Sequence, residues 1–243
     1  MYKGIGLDRN IKLSWLDAAA AYRLETDDAA ELRARLGPVV GEHLTGSDAK
    51  RKTIDNLINT WLKSEALAPD LYAVALDTFE NTTDTEDRLW LHYGLILLYY
   101  PFFRTCVISI GQMSRLDETI TTRMVKERLS AELGDLGSLK RSVERTVASL
   151  RDWGILVDSE QRYAYTPLRR HFSASSTDLE AWMLAIALTA HPAQEIPFAD
   201  LLRLPELFPF RFTITLDHLR QSDRFAVHRQ GVGWDMVRLV EGI

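Results

Sequence analysis

Leu150-Arg151-Asp152-Trp153-Gly154-Ile155-Leu156-Val157, running into Arg162-Tyr163-Ala164-Tyr165-Thr166, is the stretch from which the fold can be read. A helix ends at Leu-Arg, a polar break comes next, and two apolar-rich strands, 155–157 and 161–166, flank Asp158-Ser159-Glu160. The plan recurs nearer the C-terminus. Leu219-Arg220-Gln221-Ser222-Asp223-Arg224-Phe225-Ala226-Val227 runs into Trp234-Asp235-Met236-Val237-Arg238-Leu239 around Gly231-Val232-Gly233. Helix, break and hairpin in that order are the layout of a winged helix-turn-helix, a unit whose second helix and hairpin contact DNA.

The residues upstream of the first copy fit the same plan. Thr121 to Leu133 reads as a helix with Met124, Val125, Leu129 and Leu133 inward, ended by Gly134; Asp135-Leu136-Gly137 is the turn, and Ser138 can cap the next helix. In that helix Leu139, Val143, Thr146, Val147 and Leu150 form one stripe, which places Arg141, Ser142, Arg145 and Ser149 on the opposite face with Lys140 and Arg151 beside them. Arg162 lies on the hairpin, and Arg169 and Arg170 lie just past it. Two arginines four positions apart project side by side about 6 Å apart and match neighbouring phosphates, while serines hydrogen-bond phosphate oxygens. These eight residues, Lys140, Arg141, Ser142, Arg145, Ser149, Arg162, Arg169 and Arg170, are the expected DNA contacts. The competing reading is a solvated face on which the arginines pair with Glu144 and Asp152.

The formal charge of -5 does not oppose this, because the average hides its distribution. Counted along the chain, residues 1–100 carry 11 basic and 16 acidic groups, residues 171–243 carry 6 and 9, and residues 115–170 carry 11 and 9. Only the middle segment leans positive, and phosphate affinity follows the local surface. The second copy is less basic. Asp178 can cap a helix over 179–189, Pro197 opens a short one, Pro205 to Phe210 makes an apolar elbow, and Thr213 or Thr215 starts a third helix carrying Asp217 and Asp223 beside Arg220. Acidic groups there repel phosphate, so this unit is expected to contact protein or to form a homodimer.

Helix signals dominate the first half. Ser14 and Thr26 precede helical runs as N-caps, Gly37-Pro38 stops the second run, and Ser47 opens a helix with Ile54, Leu57, Ile58, Trp61 and Leu62 at helical spacing. Pro69 starts another, and the polar stretch 80–85 leads to the apolar run Leu89 to Phe103. That run is too short for a bilayer of roughly 20 apolar residues, contains His92, and is closed by Pro101 and Arg104, so a buried core helix is expected and no membrane partner. The spacing therefore predicts a mainly α protein: an N-terminal helical bundle over residues 1–114, followed by tandem winged helix-turn-helix-like units with small β-hairpins over 115–172 and 173–243.

With 243 residues, 46% of them hydrophobic and 26% charged, the chain can bury a core for two or three compact units. One cysteine, Cys106, in an apolar stretch excludes an internal disulfide and a cysteine-based metal site, and the first nine residues lack the apolar core of a secretory signal; a cytoplasmic location is expected. Gly4-Ile5-Gly6 and Gly231-Val232-Gly233 lack the strand-to-helix setting and the third glycine of a phosphate cradle. The six histidines show no His-x-x-x-His pair and no serine elbow, so no enzyme, cofactor or metal is expected.

The helix Lys50-Arg51-Lys52-Thr53-Ile54-Asp55-Asn56-Leu57-Ile58-Asn59-Thr60-Trp61-Leu62, the pair Leu89-Trp90 leading to Tyr100-Pro101-Phe102, and the run Leu150-Arg151-Asp152-Trp153-Gly154-Ile155-Leu156 together resemble BrxA, a small helical component of BREX phage-defence systems. The likeness spans residues 10–167. It implies a helical fold like that of the antitermination protein NusB, no active site, association with DNA, and other defence-system subunits as partners. Residues 173–243 depart from the family. Three functions are compatible with this reading: a non-enzymatic DNA-binding accessory protein of an anti-phage system, a protein-protein scaffold without DNA contact, or a winged-helix transcriptional repressor with double-stranded DNA as its target.

Overall fold

The computed structural model describes residues 7–134, 137–231 and 233–240. Gly4-Ile5-Gly6, the Asp135-Leu136 part of the expected turn, and Val232 of the second hairpin lie outside the described residues. The chain is mainly helical with a few short strands. Its first half comprises α1 (Leu13–Glu25), α2 (Ala29–Gly41), α3 (Ser47–Trp61), α4 (Pro69–Asn81), α5 (Thr85–Tyr99) and α6 (Pro101–Met113). As the spacing predicts, Ile54, Leu57, Ile58 and Trp61 of α3 are buried, while α5 is buried along most of its length.

Several sequence-based helix ends are corrected. Gly37 and Pro38 do not stop α2; the helix runs through them to Gly41 because Leu32, Leu36 and Val40 continue one buried stripe past the proline, and Gly37 has no Cβ to collide with the proline ring. Thr26 is not its cap: Asp28 accepts from Ala30 N at 2.6 Å and Glu31 N at 3.1 Å. Ser14 does not cap α1, which begins one residue earlier with its Leu13 N–H donating to Asp152 Oδ2 at 3.1 Å. Ser176, not Asp178, caps α9 (Thr177–Ala190).

The Tyr100–Pro101 junction bends α5 against α6 by 116°, and among the described residues no single helix is long and apolar enough to cross a membrane. After α6 come β1 (Ile120–Thr121), α7 (Thr122–Leu133), α8 (Leu139–Asp152), β2 (Leu156–Asp158) and β3 (Ala164–Pro167). These strands form an antiparallel sheet in the order β1-β3-β2, with Ile120 opposite Tyr165 and Val157 opposite Thr166. The hairpin tip is longer than expected, 159–163, because Ser159 N bonds Ala164 O at 3.1 Å and Ala164 N bonds Gln161 O at 3.1 Å.

The C-terminal part repeats this order. After β4 (Phe172–Ser173) and α9 come β5 (Glu195–Pro197), α10 (Phe198–Leu201), β6 (Phe210–Arg211), α11 (Leu216–Gln221), β7 (Phe225–Gln230) and β8 (Trp234–Leu239). Its sheet has the order β5-β8-β7, again antiparallel, while β4 and β6 make a separate parallel pair.

One cluster of buried apolar side chains runs without a break from Leu7 to Val237. The joint between first half and C-terminal part is close-fitting: α5 lies on α9 where Gly94 admits the Trp182 ring, whose indole N–H reaches Leu71 O at 2.7 Å. Gly111 of α6 similarly admits the backbone at Pro205. Buried carboxylates complete the joint. Glu206 takes two bonds from Arg104 at 2.6 and 3.0 Å, and Asp87 takes Ser175 N at 2.8 Å and Ser175 Oγ at 2.6 Å. Glu180 accepts three bonds at 2.7 Å, from Thr213 N, Thr213 Oγ1 and Ile214 N. Buried carboxylates are tolerated because each is paired or fully hydrogen-bonded.

Candidate nucleic-acid interface

The α8 helix buries Leu139, Val143, Thr146, Val147 and Leu150 against α6, α7 and the sheet, as its apolar period requires. Lys140, Arg141, Glu144, Arg145, Arg151 and Asp152 are exposed. Two serines expected beside the arginines face inward instead: Ser142 and Ser149 are fully buried. They are seven positions apart and so share one side of the helix, and residues 10 and 11 meet it at Ser149. Ser149 Oγ accepts the Ile11 N–H at 2.9 Å and lies 3.1 Å from the Arg145 carbonyl, while Trp153 Nε1–H donates to Ile11 O at 2.8 Å. Ser149 therefore fixes an arm; it does not face solvent.

The charges on the open stripe are not equivalent. Glu144 pairs with Lys126, Asp152 holds the first turn of α1, and Arg151 is committed to Asp158 at 2.7 Å and stacks 4.8 Å from the Tyr165 ring. Among the described residues Lys140, Arg141 and Arg145 form no ion pair. Glu144 and Asp152, the carboxylates the competing reading would pair with them, are engaged elsewhere.

The arm carries further cations to the same place. Arg141 and Arg145 line a cleft of about 580 Å³ together with Arg9, Lys12, Trp15 and Thr53. Arg9 is partly neutralised by Asp8 at 3.2 Å and Asp48 at 3.4 Å, and Lys12 lies 5.5 Å from the Trp15 ring centre. Among the described residues, buried Trp15 Nε1, Thr53 Oγ1 and Arg9 Nε have no hydrogen-bond partner. Two of these three are donor-only groups. Nothing in the sequence near residues 9–15 or 53 announces this placement; those residues lie far from α8 along the chain, and residues 10–13 are tied to it and its C-cap by the bonds of Asn10 and Ile11 to Ser149, of Ile11 to Trp153 and of Leu13 to Asp152.

The remaining expected contacts separate from this group. Arg162 is exposed at the hairpin tip, donating to Tyr163 Oη at 2.8 Å and lying 4.7 Å from that ring; Tyr163 itself is 70% exposed with φ of 63°. Arg169 donates to the Ser114 carbonyl at 3.1 Å, and it and Arg170 line a different hollow, shared with the C-terminal part. Of the two acidic neighbours expected for Arg220, Asp217 pairs with it at 2.9 Å; among the described residues Asp223 forms no ion pair with it, and Asp235 of β8 takes the second place at 3.2 Å.

Among the described residues no group of three or more His, Cys, Asp or Glu side chains converges as a metal site would. The most buried histidine, His92, accepts Trp61 Nε1–H on Nδ1 at 3.0 Å, which leaves Nε2 to donate to Asp17 at 3.0 Å. Burial lowers its pKa against the opposing pull of Asp17. Burial raises the Asp17 carboxyl, but the hydrogen bond and charge of His92, with Arg88 nearby, bring it below its ordinary value. The three side chains pin α1, α3 and α5 together. Compared with known proteins, the chain matches no family model, no curated protein and no solved structure.

Proposed function

We propose that this protein is a non-enzymatic accessory factor that binds double-stranded DNA through the first of two winged helix-turn-helix units. The order helix, strand, helix, helix, strand, strand, with the third strand central in β1-β3-β2 and again in β5-β8-β7, supports the winged-helix reading. The observation that carries the DNA reading is the group Lys140, Arg141 and Arg145, exposed and without an ion pair among the described residues, with Arg141 and Arg145 lining the same cleft as Arg9 and Lys12. Guanidinium groups so placed displace counterions from a phosphate backbone. In this reading the arm residues Arg9 and Lys12 extend the contact, and Arg162 touches flanking backbone from the wing. The resemblance to BrxA supports a role in an anti-phage defence system, with other subunits of that system as partners.

A scaffold role is favoured for the second unit, because Arg220 in α11 is already neutralised and Trp234 at the second hairpin is 57% exposed. An exposed aromatic beside an already neutralised arginine suits protein contact better than phosphate. Fluorescence anisotropy with a short random duplex, titrated with salt, tests the main reading. Arg141→Ala with Arg145→Ala removes two phosphate contacts, so the slope of log K against log salt should become shallower by about 1.8. An unchanged slope and affinity in the double variant removes α8 from the interface; absence of duplex binding by the intact protein at low salt leaves the scaffold.

A further inference from the structure

A second basic cluster lies away from α8, where the segment after β3 meets the C-terminal part. Arg115, Arg169, Arg170 and Arg203 line a hollow of about 140 Å³, and Arg170, Arg203 and Arg211 line an adjoining one of about 480 Å³ walled by Phe198 and Phe212. None of the cleft-lining residues beside α8 borders either hollow. Among the described residues none of these five arginines forms an ion pair. This distinguishes them from Arg9, Arg104, Arg151 and Arg220, each of which is paired with a carboxylate.

The cluster is held in place by backbone. Arg115 Nη2 donates to the Arg203 carbonyl, and Arg169 Nη1 to that of Ser114. Arg170 has φ of 49°, a conformation unfavourable for a side chain of this size, and its N–H bonds Phe208 O at 2.8 Å while His171 N bonds Pro209 O at 2.8 Å. The backbone thus keeps Arg170 between the two hollows. Five exposed like charges with no ion pair among the described residues give this part of the surface a positive potential that draws anions.

We propose that these hollows form a binding site for a nucleoside di- or triphosphate. The smaller hollow, lined by four arginines, takes phosphate oxygens in the forked geometry arginine favours. The larger has the size of an ordinary small-ligand site, and its phenylalanine wall takes an apolar, planar base. That wall is what distinguishes this ligand from inorganic phosphate or an acidic peptide. The inference is independent of the DNA reading, since the two clusters share no residue.

Isothermal titration of the full chain with ATP, GTP, CTP and UTP, and separately with tripolyphosphate and adenosine, tests the proposal. At least one nucleotide should bind saturably, and about tenfold or more tighter than either tripolyphosphate or adenosine. Arg203→Gln and Arg211→Gln, both exposed positions, should each weaken it about tenfold without altering the melting temperature of the unliganded protein, whereas Arg141→Ala with Arg145→Ala should leave it unchanged. Failure of all four nucleotides to bind the wild-type chain overturns the proposal. Tripolyphosphate binding as tightly as the best nucleotide also overturns it, by showing a site for polyanions alone, as does nucleotide binding that survives both arginine substitutions.

Discussion

Replacing Gly111 by alanine tests how the C-terminal part is joined to α6. A Cβ built at Gly111 would sit 2.0 Å from the Pro205 carbonyl oxygen and 2.8 Å from its carbon. Carbon and oxygen approach no closer than about 3.3 Å even in favourable contacts, so the Pro205–Leu207 turn must retreat by more than about 1 Å. It cannot do so freely, because Tyr93 Oη–H holds the Glu206 carbonyl at 2.5 Å and Arg104 holds the Glu206 side chain. Overpacking against backbone belongs at the upper end of its usual range, about 3 kcal/mol, and the better helix propensity of alanine returns about 1 kcal/mol. The net loss of about 2 kcal/mol lowers the melting temperature by about 4 to 8 °C in a chain of this size. Differential scanning calorimetry reads it directly. Gly41→Ala is the control, since its Cβ meets only the movable end of Lys50, at 3.0 Å from Nζ; it should stay within about 0.5 kcal/mol of wild type. If Gly111→Ala melts at or above the wild-type temperature, the described seating of this turn on α6 is wrong.

Three further outcomes rest on buried groups. The unfolded chain takes up a proton at His92 that the native state resists, so stability should fall as pH drops below about 6.5; Trp61→Phe, which removes the N–H facing Nδ1, should raise the His92 pKa, as followed by NMR titration. The Asp17 carboxylate contributes in the same direction but is lost only at lower pH, because its folded value is depressed. Cys106 is fully buried and its thiol is pushed far up by desolvation, so a thiol reagent should label it at the rate of global opening and not faster; rapid labelling in native buffer would contradict this packing. Arg104→Ala leaves Glu206, 1% exposed, without its ion pair and should cost about 3 to 5 kcal/mol in chemical denaturation, part of which Glu206→Gln in the same chain should return.

Periodicity located the elements well where one apolar stripe decided them, and less well where ends depended on competing partners. Capping shows the difference. Several polar residues stand near each helix start, and Asp28 displaces Thr26 while Ser176 displaces Asp178 by geometry alone. The α2 helix passes through Pro38 because burial of Val40 outweighs a local stop signal that propensity alone would obey. On α8, the 3.6-residue period separated Arg141 and Arg145 from the core stripe, but it placed Ser142 and Ser149 outside as well. A helix wheel shows which residues leave one partner; it does not show a second partner arriving on another side.

The mainly helical class, the buried α5, the corner at Pro101, the repeated helix-and-hairpin plan and the arginine pair on α8 were all legible from residue order, because each is written in contacts among near neighbours along the chain. How the eight candidate residues divide was settled by packing between distant segments. Residues 9–12 laid against α8 cover Ser149 and bring Arg9 and Lys12 to Arg141 and Arg145; where Pro205–Leu207 seats on Gly111, Arg169 and Arg170 meet Arg115, Arg203 and Arg211. Long-range packing sets these groupings, and electrostatics depends on distance in space, which residue spacing along a chain does not encode.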